Sequence, residues 1–120
     1  MPTDDLRDWV AFHLLDLSPR HQAVSLNRFG GPHEVAWRVA PEAFAGLNRR
    51  AGGALVDRVR RARRDLPRQV DRELAACARA GFDIIPRTDR SYPPILLETA
   101  DPPAVLYVRG HLDPARARVA

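Results

Sequence analysis

Arg58, Arg60, Arg61, Arg64 and Arg68 crowd into one stretch of the sequence, and their type and spacing could do chemistry. A guanidinium is planar and donates hydrogen bonds in pairs, which suits the oxygens of a phosphate. On a helix turning about 100° per residue, Arg58, Arg60, Arg61 and Arg64 fall opposite a stripe of Leu55, Val59, Ala62 and Leu66. The cluster is therefore the candidate nucleic-acid contact. It also reads as an ordinary solvated face, because Asp57–Arg61 and Arg61–Asp65 have the i,i+4 spacing of surface ion pairs. No aromatic residue is interleaved there to stack a base. The sequence leaves both readings open.

A second constellation is the turn in Leu14 to Arg20, with Leu17, Ser18, Pro19 and Arg20 at its tip. It reads as a helix-hairpin-helix element, in which glycines let backbone N–H groups approach a phosphate at a helix N-terminus. Asp16 and Ser18 occupy the glycine positions, and the Asp16 carboxylate stands where a phosphate would sit. Like charges repel, so a packing role is expected for this turn rather than a DNA contact. Ala45 to Ala54 could be a second, looser copy.

The remaining reactive side chains point to no site. His13, His21, His33 and His111 lack metal-ligand spacing, and Cys77 lies on an apolar helix face. Ser91-Tyr92 offers two hydroxyls that nothing nearby activates. There is no GxGxxG and no GxxxxGK[ST], so no phosphate-binding loop is expected. Neither a metal, a cofactor nor catalysis is expected in these residues.

The elements that must hold these residues belong to a chain of 120 residues that is 45% hydrophobic and has a net charge of +4. All 19 basic residues are arginine, a bias that GC-rich coding produces and that does not by itself indicate nucleic acid. Placement is more informative. Residues 51–80 hold eight arginines and four acids, whereas 1–50 hold six of each and 81–120 five of each. The whole surplus lies in one segment. No apolar run approaches the roughly 18 residues of a membrane span. Met1 to Asp8 lack the pattern of a signal peptide, and one cysteine excludes an internal disulfide framework, so the cytoplasm is the expected location.

Periodicity and capping residues predict helices at about 4–15, 19–29, 53–65 and 67–80, with short helical turns after Pro32 and Pro41. Thr3 is the expected cap of the first, whose stripe is Leu6, Val10, Leu14 and Leu17 with Trp9 beside it. Ser18 and Pro19 start the second, which carries Ala23, Leu26 and Phe29 and stops at Gly30-Gly31. Val70, Leu74, Cys77 and Ala78 form the inner face of the helix that ends at Gly81. The character then changes. Phe82 to Ile85 and Val105 to Val108 are apolar runs that read as strands buried on both faces, as in a parallel sheet. Tyr92 to Leu97 is a loop leading into a short helix, and another apolar run begins at Arg118-Val119-Ala120.

Two stretches together carry a resemblance. One is Leu14 to Arg20 with Arg28-Phe29-Gly30-Gly31-Pro32. The other runs from Gly81-Phe82-Asp83-Ile84-Ile85-Pro86, through Tyr92-Pro93-Pro94-Ile95-Leu96-Leu97, to Asp101-Pro102-Pro103-Ala104-Val105-Leu106-Tyr107-Val108-Arg109-Gly110. In order and spacing they resemble the N-terminal part of the DNA-processing protein A family (DprA, also called Smf). The resemblance implies a mainly α fold. A small helical bundle of sterile-alpha-motif or helix-hairpin-helix type over 1–80 would be followed, over 81–120, by the start of an extended Rossmann fold. It implies a non-enzymatic protein of natural transformation and homologous recombination, which binds single-stranded DNA and helps load the RecA recombinase. The family's Gly-Ser-Arg loop, in its DNA-binding pocket, would follow directly after Val119-Ala120. The dimer surface and the RecA contact would also lie in that core. On this reading the chain is a front portion, from a fragment or a split gene, that binds single strands weakly through its arginines. The alternatives are a protein–protein interaction module without DNA binding, and a truncated product with a poorly ordered 81–120 tail.

Overall fold

The computed structural model describes residues 4–109. Thr3, His111 and the run at 118–120 lie outside the described residues. The fold is mainly α with one small antiparallel sheet. Helix α1 spans Asp4–Leu14, and α2 spans Pro19–Phe29. A π-helical turn, Glu34–Arg38, and a 3-10 segment, Pro41–Leu47, follow. Helices α3 (Gly52–Arg63) and α4 (Leu66–Ala80) complete the helical part. Strand β1 is Phe82–Pro86, α5 is Pro94–Leu97 and β2 is Val105–Arg109.

Local chemistry sets these boundaries. Asp16 adopts φ 55° and so stops α1 two residues after Leu14. Ser18 caps α2 by accepting a hydrogen bond from the His21 N–H at 3.2 Å, with Pro19 as the first helical residue. Gly81, at φ 77°, ends α4 and returns its N–H to the last turn. Gly52 answers a different need. A Cβ there would lie 2.7 Å from the Ala45 carbonyl oxygen, so only glycine lets α3 begin against the 3-10 segment.

Helix α1 is the centre of the molecule. Trp9, Val10, Ala11 and Phe12 are four consecutive buried residues, so the middle of the helix is enclosed on every side. A one-sided stripe was expected; Ala11 and Phe12 lie off it. The π turn, α4 and both strands pack around α1. Asp8 fastens the π turn: its Oδ1 accepts from Trp37 Nε1 at 2.9 Å and lies 3.0 Å from His33 Nδ1. On α2 the expected inner residue Ala23 is exposed. Ser25 is fully buried in its place, its hydroxyl donating to the Gln22 carbonyl at 3.0 Å. On α4 Val70 and Cys77 are buried as expected, whereas Ala78 is exposed.

The two strands correct the expectation of a parallel sheet buried on both faces. They pair antiparallel, from Phe82 opposite Arg109 to Pro86 opposite Val105. The reason lies in the connection, which holds only the four-residue α5 and is closed at its base. The Arg87 N–H donates to the Ala104 carbonyl at 3.0 Å, the Arg87 guanidinium to Pro102 O, and the Tyr92 hydroxyl to Pro103 O at 2.8 Å. The chain therefore turns back beside β1. Asp83, Tyr107 and Arg109 remain exposed, so neither strand is buried on both faces. One buried cluster joins Phe12, Val59 and Val70 to Ala104 and Val105, so the core crosses the expected boundary at residue 80.

Burial pushes the Tyr92 phenol above its ordinary pKa; Tyr107, exposed as a residue, is raised by the partial burial of its phenol and by the nearby Glu73 carboxylate. A phenol with a raised pKa in the folded state keeps its proton there after the unfolded chain has lost it. That stabilisation is full below the unfolded pKa of about 10 and is lost as pH rises above it. The melting temperature is accordingly expected to fall above about pH 10, and to fall less steeply in Tyr107→Phe. Thermal melts over that range check both outcomes.

Candidate nucleic-acid interface

The five arginines do not act as one group. Arg58, on α3, donates to the backbone carbonyl of Asp16 at 3.2 Å and to its Oδ2 at 3.4 Å. Arg60 is bound to Glu42 of the 3-10 segment and lies 4.0 Å from Asp57. A hydrogen bond from its own backbone and the Arg60 guanidinium hold the Glu42 carboxyl below its ordinary pKa. Arg68, at the start of α4, pairs with Asp65 at 3.6 Å, and Arg72 shares that carboxylate at 4.0 Å. Arg61 and Arg64 are exposed and make no ion pair or hydrogen bond with a side chain among the described residues. Arg61 stands on the outer face of α3 and Arg64 one turn on, immediately past its last residue, and their charge is uncompensated. The expected pairs Asp57–Arg61 and Arg61–Asp65 do not form; Asp57 meets Arg60, and Asp65 meets Arg68 and Arg72.

Arg63 is the arginine that sequence reasoning missed. It turns inward, its Nε donating to Ala36 O and its Nη2 to Val35 O, both at 3.0 Å. It thereby satisfies carbonyls of the π turn, and burial draws its pKa below the ordinary guanidinium value. Its place between Ala62 and Arg64, at the edge of the apolar stripe, is the one available signal.

The hairpin divides by residue. Leu15 and Leu17 are buried, whereas Ser18, Pro19 and Arg20 are exposed. An open cleft of about 500 Å³ lies between this turn and the start of α3, lined in part by Asp16, Ser18, His21, Ala51, Leu55 and Arg58. Asn48 joins its two sides. Its side-chain oxygen accepts from the backbone N–H groups of Arg50 and Ala51 at 2.9 and 3.1 Å, and its amide donates to His21 Nε2 at 3.2 Å.

The other reactive groups are held structurally. His13 packs on the Tyr107 ring at 5.7 Å, and the Tyr107 hydroxyl donates to Glu73 at 3.4 Å. Cys77 is buried, and its thiol is pushed up by burial and by Glu73, away from thiolate reactivity. No cluster of His, Cys, Asp and Glu among the described residues could hold a metal ion. No helix among the described residues is long and apolar enough to cross a membrane. Comparison with protein-family models, with curated proteins and with solved structures finds no match.

Proposed function

We propose that this chain is a DNA-processing protein that binds single-stranded DNA at the outer face and C-terminal end of α3. One observation carries the reading: Arg61 and Arg64 are exposed, adjacent and uncompensated, while neighbouring arginines are engaged by carboxylates. Strand phosphates are the chemistry that such a pair takes, and few charges mean weak, salt-sensitive binding. The resemblance to the DprA family supports this reading and extends it to a non-enzymatic, cytoplasmic role in transformation and recombination. RecA loading would then belong to the Rossmann core, beyond the residues described. Labelled oligothymidine is expected to bind the whole chain at about 50 mM salt and to dissociate by about 200 mM. An Arg60/Arg61/Arg64→Ala variant should lower the slope of log K against log salt by about 1.4, the share of the two free arginines. Equal binding by variant and parent at low salt would remove the arginines from the site.

A second reading, a protein-interaction module, is favoured by Ile95 and Leu97, which are 56% and 48% exposed on one short helix. It requires that oligothymidine not bind even at low salt.

A further inference from the structure

The Asp16–Arg58 contact stands in the cleft between the hairpin and α3, where an exposed carboxylate meets an exposed guanidinium. Asp16 holds a positive φ of 55°, the conformation a hairpin glycine would supply. Its carboxylate, 90% exposed, supplies the anion, and the Arg58 guanidinium, also half exposed, donates to it and to the carbonyl behind it. Nothing in the core depends on this pair: Leu15 and Leu17 anchor the turn, and Ser18 caps α2 without either partner. His21 lines the same cleft, as does the N-terminal turn of α3 at Ala51.

We propose that this cleft is a phosphodiester subsite for a nucleic-acid strand, occupied in the free protein by the chain's own Asp16 carboxylate. A strand phosphate takes Arg58 only by displacing that carboxylate, so Asp16 sets the affinity of the adjoining arginine face. The inference rests on the reading of α3 as a strand-binding face. It explains why a hairpin of this shape carries an acid at its glycine position. The pair is solvent-exposed and monodentate, so displacement is within reach of a competing anion.

The test is Asp16→Asn, because Asn tolerates a positive φ as Asp does and the change removes only charge. Labelled oligothymidine is titrated into the full chain, with thermal melts confirming that each variant is folded. Asp16→Asn is expected to bind about two- to fivefold more tightly than the parent, the range that an exposed ion pair is worth. Its salt slope should steepen by about 0.7, one additional single-strand phosphate. The gain should vanish in Asp16→Asn/Arg58→Ala and be absent in Glu98→Gln, an equal charge change on an exposed residue outside the cleft. A gain that survives loss of Arg58, or that Glu98→Gln reproduces, is bulk charge and overturns the subsite. If the parent binds and Arg61/Arg64→Ala weakens it while Asp16→Asn changes nothing, the subsite falls and the α3 reading stands. If neither parent nor Asp16→Asn binds, both fall.

Discussion

Phe12→Ala is expected to destabilise the protein by about 3–5 kcal/mol, enough to unfold a marginal domain of this size. Phe12 is fully buried at the middle of α1, edge-on to Trp9 with ring centroids 5.8 Å apart. Its neighbours belong to a helix enclosed by the π turn, α4 and both strands, so no single element can shift to close the void. Ile95→Ala, on the exposed side of α5, should stay within about 0.5 kcal/mol of the parent. Urea unfolding measures both. Equal effects from the two substitutions would mean that α1 is not the centre of the core.

Arg63→Ala carries the second large effect, about 2–4 kcal/mol. The guanidinium makes two charge-assisted bonds to carbonyls of the π turn, at Val35 and Ala36, both fully buried residues. Truncation leaves those carbonyls without the guanidinium donor. Arg63→Lys should recover only part of the loss, because one ammonium cannot reproduce two donors in a fixed fork. Arg61→Ala, two residues away on the opposite side of the helix and outside the core, should leave stability unchanged. A loss for Arg63→Ala no larger than for Arg61→Ala would contradict an inward, structural Arg63.

The contrast between these two arginines shows what the sequence could and could not disclose. Helix ends were legible because their signals are local: Ser18 with Pro19 marks the start of α2, and Gly30 and Gly81 mark ends. The outward position of Arg61 and Arg64 followed from helical period alone. The inward turn of Arg63 did not, because its partners lie on a turn 27 and 28 residues upstream. Ion pairing failed in the same way. The spacing allowed i,i+3 and i,i+4 partners equally, and Glu42, 18 residues from Arg60, took one cation out of the local set. The strands were legible as apolar runs, but their direction was settled by the loop closed through Arg87, Tyr92 and Pro103. Ala11 and Phe12 were missed because a one-sided periodic stripe is the wrong template for a helix surrounded on all sides.

The division of the arginines into compensated and uncompensated ones is the centre of the functional account, and a charge-matched comparison tests it most directly. Arg61/Arg64→Ala and Arg60/Arg68→Ala remove the same formal charge from neighbouring positions. Oligothymidine titrations across about 50 to 200 mM salt should show that the first pair loses most of the binding and lowers the salt slope by about 1.4, two phosphates' worth. The second pair should bind nearly as the parent does, because its carboxylate partners already neutralise those cations. Equal losses from the two variants would show that total charge, and not the free pair on α3, holds the strand.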